Sequence, residues 1–358
     1  MESIEKLSVF FSYAPGIGPK TFQRLLSYFK SVEKIFSASE QELDVAGLKG
    51  KMLCKYLEFK SSHTIDSLVQ NFQRKGIWVL SYQDFPEGLQ SIANPPIAIF
   101  GRGDKRLLFE DIAIAIVGSR RPTSYGFSVT ESFAKELVEN NIVVVSGMAL
   151  GIDGITHRSV LKNQGKTLAV LGSGIDLPTP AVHEGLYGEI IKNGAVISEY
   201  PPGVYPTKGS FPARNRIISA VSRAIIIPEA TIDSGALITA NAAFSQNKNV
   251  YIVPGSIYSN LSQGTNNLLK NGGIPISSVR EILEDLGKVD TTSPLNIFAD
   301  GLTVEEREIL DVLMSENLSI DELTKRISFP VGQLMISVSS LELRNIIQSV
   351  NGEWAIVR

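Results

Sequence analysis

Apolar residues change their spacing twice along this chain. Up to residue 75 they recur at helical intervals: Phe22, Leu25, Leu26 and Phe29 share one face, and Leu43, Leu48, Leu53 and Leu57 continue the pattern. From residue 77 they run together instead. Ile77–Leu80 and Ile97–Phe100 come first, the second behind Pro95 and Pro96. Then follow Ile112–Val117, Ile142–Val145, Leu168–Leu171, Ala195–Ile197, Ala224–Ile227 and Val250–Val253. Unbroken apolar runs predict strands covered on both faces by helices. Their starts lie about 25–30 residues apart, room for a helix and two loops each. One such helix is expected over Gly126–Asn140, with Phe127, Phe133, Ala134, Leu137 and Val138 turned inward. The fold class that follows is α/β, a doubly wound, mostly parallel sheet. Helical spacing returns after a polar linker that includes Asp290–Pro294. Thr303 and Glu306 stand at capping-box spacing before helical patterns at Ile309–Met314, Ile320–Arg326 and Val331–Leu343, and Trp354–Val357 closes as a strand. Three short helices and a terminal wing predict a winged helix. The expected divisions are a helical domain over 1–75, the sheet domain over 76–287, a linker over 288–301 and the winged helix over 302–358.

The turns after the strands carry the candidate chemistry. Val117-Gly118-Ser119-Arg120-Arg121 follows the first long strand, Ser146-Gly147-Met148-Ala149-Leu150-Gly151 the second, and Leu171-Gly172-Ser173-Gly174 the third. Glycines let backbone amides converge on an anion, and a helix N-terminus adds its positive dipole end. Downstream, Lys208 leads to Phe211-Pro212-Ala213-Arg214-Asn215-Arg216. Arginine forks beside an aromatic ring suit a polyanion with flat faces, which is nucleic acid or a nucleotide. Ligands on such sheets sit beyond the carboxyl ends of the strands, where these turns lie. Each candidate has a structural alternative. Arg120 pairs with Asp153; one of the later arginines pairs with Glu199 or Glu229, with Phe211 plugging the core; Asp153 caps a helix and His157 bonds to it. Two further features add small-residue helix starts. Ser234-Gly235-Ala236 opens one helix, and Ala14-Pro15-Gly16-Ile17-Gly18-Pro19-Lys20 looks like the hairpin of a helix–hairpin–helix unit, echoed at Val45–Gly50, the alternative being a turn that only packs two helices together.

Composition narrows this. With 358 residues, 43% apolar and 20% charged, the chain has the profile of an ordinary globular protein of two or three domains. Its formal charge of -3 means that nucleic-acid binding needs a local basic patch. One cysteine, Cys54, and three histidines argue against disulfides and against a His/Cys zinc site, so no cofactor or metal is expected. The N-terminus lacks a signal-peptide pattern and no apolar run reaches the ~20 residues of a membrane span, so the expected location is the cytoplasm. The first glycine turn matches neither the dinucleotide fingerprint nor a P-loop.

Taken in order, Ile116–Arg120 with Thr123–Gly126, Ser146–His157, Thr167–Asp176, Ser198–Gly203, Phe211–Ser219, Glu229-Ala230, Ser234–Ala240 and Val253–Gly255 resemble the DNA-processing protein family called DprA, or Smf. The resemblance implies an extended Rossmann-like sheet flanked by a helix–hairpin–helix or SAM-like domain and a winged helix. It implies a homodimer without catalytic turnover that binds and protects single-stranded DNA and helps load RecA recombinase during natural transformation and recombination. By position, Arg120 resembles the family's phosphate-binding arginine, Lys208 its DNA-contacting lysine and Phe211 its base-stacking aromatic, with Gly118, Ser119, Arg214 and Asn215 lining the same pocket. Ser146, Gly147, Gly151 and Arg216 complete the expected DNA-binding set. Thr179 and His183 stand where the family usually has tyrosine and asparagine, and Pro228 is unusual before Glu229. The alternative is a nucleotide-processing hydrolase of the lysine-decarboxylase-like, cytokinin-activating group. Its Pro-Gly-Gly-x-Gly-Thr loop is not assembled here: Pro254-Gly255-Ser256 and Gln263-Gly264-Thr265 stay separate.

Overall fold

Six helices precede any strand: α1 (Ser3–Tyr13), α2 (Pro19–Phe29), α3 (Val32–Ser37), α4 (Glu40–Val45), α5 (Gly50–Ser62) and α6 (Ile65–Val69). The computed structural model describes residues 2–288 and 302–356, apart from 314, 315, 345 and 351. All but the first residue of the linker expected over 288–301 lies outside the described residues, as do Met314 and Val357. The chain forms two units, Met1–Ile282 and Leu283–Arg358.

In the first unit the chain reverses at Gly16, φ 82, between α1 and α2, and at Gly47, φ 93, between α4 and α5. Glycine enters this left-handed region without steric cost. Each turn meets the helix that follows the other. Arg24 donates from Nη2 to the Gly47 carbonyl at 2.7 Å, and a Cβ on Gly16 would lie 3.1 Å from Met52 Cβ. Phe10, Phe11, Phe22, Leu25 and Tyr56 fill the core between these helices. Val9, on the other side of α1, packs instead with Val79 and Phe100 of the sheet.

Nine strands form that sheet: β1 (Trp78–Ser81), β2 (Ala98–Gly103), β3 (Ala113–Ile116), β4 (Val143–Ser146), β5 (Thr167–Leu171), β6 (Ala195–Ser198), β7 (Ala224–Ile227), β8 (Asn249–Ile252) and β9 (Ile274–Pro275). Their order is β1-β2-β6-β5-β4-β3-β7-β8-β9. The seven strands from β6 to β9 run parallel, β2 joins them antiparallel at the β6 edge, and β1 pairs antiparallel with β2 outside it. The expected α/β sheet is therefore present, mostly parallel. Leu168 and Val170 of β5 pack on one face with Ile217 and Ala240, whereas Ala169 and Leu171 pack on the other with Tyr187 and Ile190. Both faces are buried, which is why the strand showed no polar alternation.

Beyond the short helix α7 (Glu87–Gln90), the crossovers supply α8 (Ser124–Glu139), α9 (Ile152–Lys162), α10 (Glu184–Asn193), α11 (Ser210–Ala220), α12 (Gly235–Ser245) and α13 (Gln263–Lys270), and α14 (Val279–Asp285) follows β9. The inner face of α8 differs from expectation. Gly126, Thr130, Phe133, Ala134 and Leu137 are buried, while Phe127 is 44% exposed and Val138 only half-buried. The physical reason lies at Gly126. A Cβ there would stand 2.5 Å from Glu229 Oε2, so the helix turns its glycine inward and Phe127 falls on the flank.

The second unit holds α15 (Val304–Leu313), α16 (Ile320–Arg326), α17 (Val331–Leu343) and an antiparallel pair, β10 (Ile347–Val350) and β11 (Glu353–Ile356). Its own core contains Ile309, Leu310, Leu323, Leu334, Leu341 and Ile347. The capping box at Thr303 forms as expected: Thr303 N donates to Glu306 Oε2 at 2.8 Å, and Glu306 N to Thr303 Oγ1 at 3.2 Å. No described helix is long and apolar enough to cross a membrane.

Candidate nucleic-acid interface

The chain winds outward from β3 through β4 to β6, then returns to the other side of β3 as β7 and continues to β9. The β3/β7 junction is thus the point where the winding reverses, and a crevice is expected beyond its carboxyl end. A cavity of about 510 Å³ lies there. The turn after β3 lines it with Gly118, Ser119, Arg120 and Arg121; the start of α11 adds Phe211, Arg214 and Asn215. Three arginines face two aspartates, Asp153 and Asp233, so the lining carries a formal excess of one positive charge, 3 − 2 = 1.

The glycines hold this wall together by letting two turns interpenetrate. A Cβ on Gly118 would come within 2.7 Å of Ile152 Cγ1 and 2.8 Å of the Glu229 carbonyl. A Cβ on Gly151, at φ 75, would lie 2.3 Å from the Ser119 carbonyl. Ile152 N donates to that same carbonyl at 3.0 Å, and Ser119 N to the Glu229 carbonyl at 2.8 Å. Arg121 N donates to Ser119 Oγ at 3.1 Å. The amides of Ser119 and Arg121 are therefore committed within the fold, and the arginine side chains are what this turn offers a ligand.

The predicted residues divide by burial. Arg120 and Arg121 are exposed, as is Lys208 on the segment entering α11, and none of the three forms an ion pair among the described residues. Lys208 stands outside the cavity lining itself, three residues before Phe211. The half-buried ring of Phe211 faces the cavity and leans on Gly172, where a Cβ would meet its Cδ1 at 2.9 Å. Arg214 is buried, 5% exposed, and donates from Nη1 to the carbonyls of Gly147 and Val170. Asn215 ties that arginine to α12, accepting from Arg214 Nε at 3.1 Å and donating to the Gly235 carbonyl at 3.2 Å. Ser146 is fully buried and donates to the Ile116 carbonyl at 2.6 Å. Gly147 makes room for the arginine, since a Cβ there would stand 2.6 Å from Arg214 Nη1. Arg216 is corrected outright. It is not in the cavity but pairs with Glu199, whose side chain is 6% exposed.

Electrostatics reinforce the division. Burial pushes the Asp153 carboxyl up, opposed first by the Arg214 charge and then by the amides of Ala149 and Gly147 and by Arg120. Burial also pulls the Arg214 guanidinium down, against the attraction of Asp153. His157 does not bond to Asp153, which corrects the expected pairing. Its Nδ1 meets Thr167 Oγ1 at 2.7 Å, and burial, then His183, Arg214 and Arg158, bring its pKa down to about 3. A buried neutral imidazole turned away from the cavity is no general base for a ligand there. His183 and Thr179 also stay out of the lining: His183 Nδ1 meets the Met148 carbonyl at 2.9 Å, and Thr179 Oγ1 donates to the Leu177 carbonyl at 3.3 Å.

Arg121, Asp233, Ser234 and Gly235 belong to the lining but not to the expected set. Ser234 caps α12, accepting from Ala236 N at 3.3 Å, so this helix start opens onto the cavity. Its Ser-Gly-Ala pattern was visible in the sequence; its position beside Arg120 was not.

A family model described as DNA recombination-mediator protein A matches residues 76–287. The chain belongs to that family. Protein Smf of a Synechocystis strain is 37% identical to it over 284 residues, 78% of this chain and 71% of that protein. DNA processing protein DprA of Streptococcus pneumoniae is 34% identical over 272 residues, 75% of this chain and 94% of that protein. Among solved structures, DNA processing protein A from Streptococcus pneumoniae superposes with a TM-score of 0.70 at 32% identity, covering 78% of this chain and 97% of that one. The protein of the same name from Helicobacter pylori, solved to explain a unique single-stranded DNA binding mode, gives 0.55 at 34% identity, covering 59% and 96%. None of these family relatives bears an enzyme's name.

Proposed function

We propose that this family member binds and protects single-stranded DNA across the carboxyl edge of its sheet, with phosphates on Arg120, Arg121 and Lys208 and one base against Phe211. The observation that carries this reading is the convergence of two exposed arginines, unpaired among the described residues, and a half-buried aromatic ring on one cavity where the sheet's winding reverses. Guanidinium forks hold phosphate oxygens, and a ring face stacks a base regardless of its identity. Gly118 and Ser119 shape the rim. Ser146, Gly147, Gly151, Arg214 and Asn215 fix the wall from behind. The similarity to a Helicobacter pylori protein solved for its single-stranded DNA binding supports the same ligand.

On this reading the protein acts as a cytoplasmic homodimer that passes the strand to RecA recombinase during DNA uptake and recombination. The helical residues 1–75 form the helix–hairpin–helix or SAM-like domain, 76–287 the Rossmann-like domain and 302–358 the winged helix. The paired turns at Gly16 and Gly47 support the first assignment, and the three helices with a β10/β11 hairpin support the last. Fluorescence anisotropy with an unstructured oligonucleotide tests the proposal. Arg120→Glu with Lys208→Glu removes two charge-assisted contacts and is expected to weaken binding by about 100-fold. Unchanged affinity rejects the assignment.

A further inference from the structure

A second cavity, about 460 Å³, lies against the first. Two walls separate them. The turn after β3 sends Ser119–Arg121 into the first cavity and Thr123 into the second, where the first turn of α8 adds Tyr125. The short turn Asn260–Ser262 sends Leu261 into the first, while Ser259 and Ser262 line the second. The chemistry changes across these walls. Among the described residues, no lysine or arginine lines the second groove. Its one acid, Glu229, is 2% exposed, and both its oxygens are held by Thr123, from the backbone N at 2.7 Å and from Oγ1 at 2.8 Å. What remains is hydroxyls and aromatic surface. Tyr125 is 49% exposed and donates to the Pro254 carbonyl at 3.1 Å, which holds its ring at the groove. Tyr258, 92% exposed, is outside the lining itself but lies in the chain between its residues Ser256 and Ser259, with its backbone N donating to Ser256 Oγ at 3.3 Å.

We infer that this groove is a second base-binding subsite, in which the single strand gripped at Arg120 continues past the Ser119–Thr123 turn and lays a further base between Tyr125 and Tyr258. The inference rests on the single-strand reading above. A groove without a free cation does not attract phosphate, and tyrosine faces beside hydroxyls suit a flat, uncharged, polar-edged group. Continuity with the cationic cavity selects the same strand as the occupant. Tyr125 and Tyr258 thus act by stacking, and their contribution does not depend on counterion release.

Labelled oligothymidylates of about 5 and about 20 nucleotides, titrated against the full chain by anisotropy, separate the two subsites. Tyr125→Ala with Tyr258→Ala is expected to weaken the longer oligonucleotide by about 10-fold, with the shorter one within about 2-fold and the slope of log K on log salt unchanged. Tyr258→Phe, which keeps the ring, is expected to bind both as the parent does. Equal affinity of parent and double variant for the longer strand, or an equal loss on both lengths, overturns the subsite. A change in the double variant's mass in solution overturns it in favour of contact between copies of this chain. Arg120→Glu with Lys208→Glu, run alongside, tests the parent reading by itself: loss on both lengths with no tyrosine effect sinks the groove alone, and no loss on either sinks the single-strand assignment and the subsite with it.

Discussion

Arg120 and Arg214 line the same cavity with the same guanidinium, and burial gives them different work. Arg120 lies in solvent with no ion-pair partner among the described residues, which leaves its charge open to the phosphate proposed above. Arg214 bonds to two carbonyls that the ends of β4 and β5 bring together, so it braces the wall of the cavity. His157 shows the cost of such burial on a titratable group. Its pKa in the fold is about 3, against about 6.5 when unfolded, so between these values the unfolded chain binds more protons than the folded one. Stability present above pH 6.5 is therefore lost as the pH falls towards 3, at up to about 1.4 kcal/mol per unit from this residue. Denaturant titrations between pH 7 and 4 are expected to give a shallower decline for His157→Gln than for the parent. Parallel declines contradict a buried neutral imidazole. From sequence, a histidine four residues after an aspartate on a helix looked like its partner. What the spacing did not contain was β5, whose Thr167 offers the nearer acceptor.

At the scale of elements, the site depends on how closely the turns after β3 and β4 approach each other. Gly151 combines a positive φ with a carbonyl 2.3 Å from where a Cβ would sit. Gly151→Ala is therefore expected to cost about 3 kcal/mol through backbone strain and overpacking, and to weaken oligonucleotide binding by displacing Arg120. Parent-like thermal stability and binding in this variant contradict the interlocked turns. Most of this level was legible beforehand. Continuous apolar runs located β1 to β8, because β-branched residues covered on both faces leave no polar alternation. Strand order and the reversal at β3 were not legible, since a run of Val and Ile carries no record of its neighbours. The inner face of α8 was misread for a related reason: apolar spacing favoured Phe127, and only the Glu229 carboxylate across the gap explains why glycine holds the inward position.

On the scale of the whole molecule, a chain of formal charge -3 presents a local cationic rim. Long-range attraction from net charge is absent, so affinity must arise from short-range contacts at that rim. Of the three arginines and one lysine expected to bind DNA, only Arg120 and Lys208 remain solvent-exposed cations; Arg121 joins them, while Arg214 and Arg216 are committed within the fold. Sequence could name every basic residue but could not separate buried from free ones, because that depends on which carbonyls and carboxylates the fold places beside them. Three free cations, each neutralising one phosphate, set the expected salt dependence. Anisotropy titrations of a single-stranded oligonucleotide over a range of salt concentrations measure it directly. The account predicts a slope of log K on log salt of about -2 for the parent chain, falling to about -1 or less for Arg120→Gln with Lys208→Gln. A parent slope near zero, or an unchanged slope in that variant, contradicts a sugar-phosphate chain held by these residues.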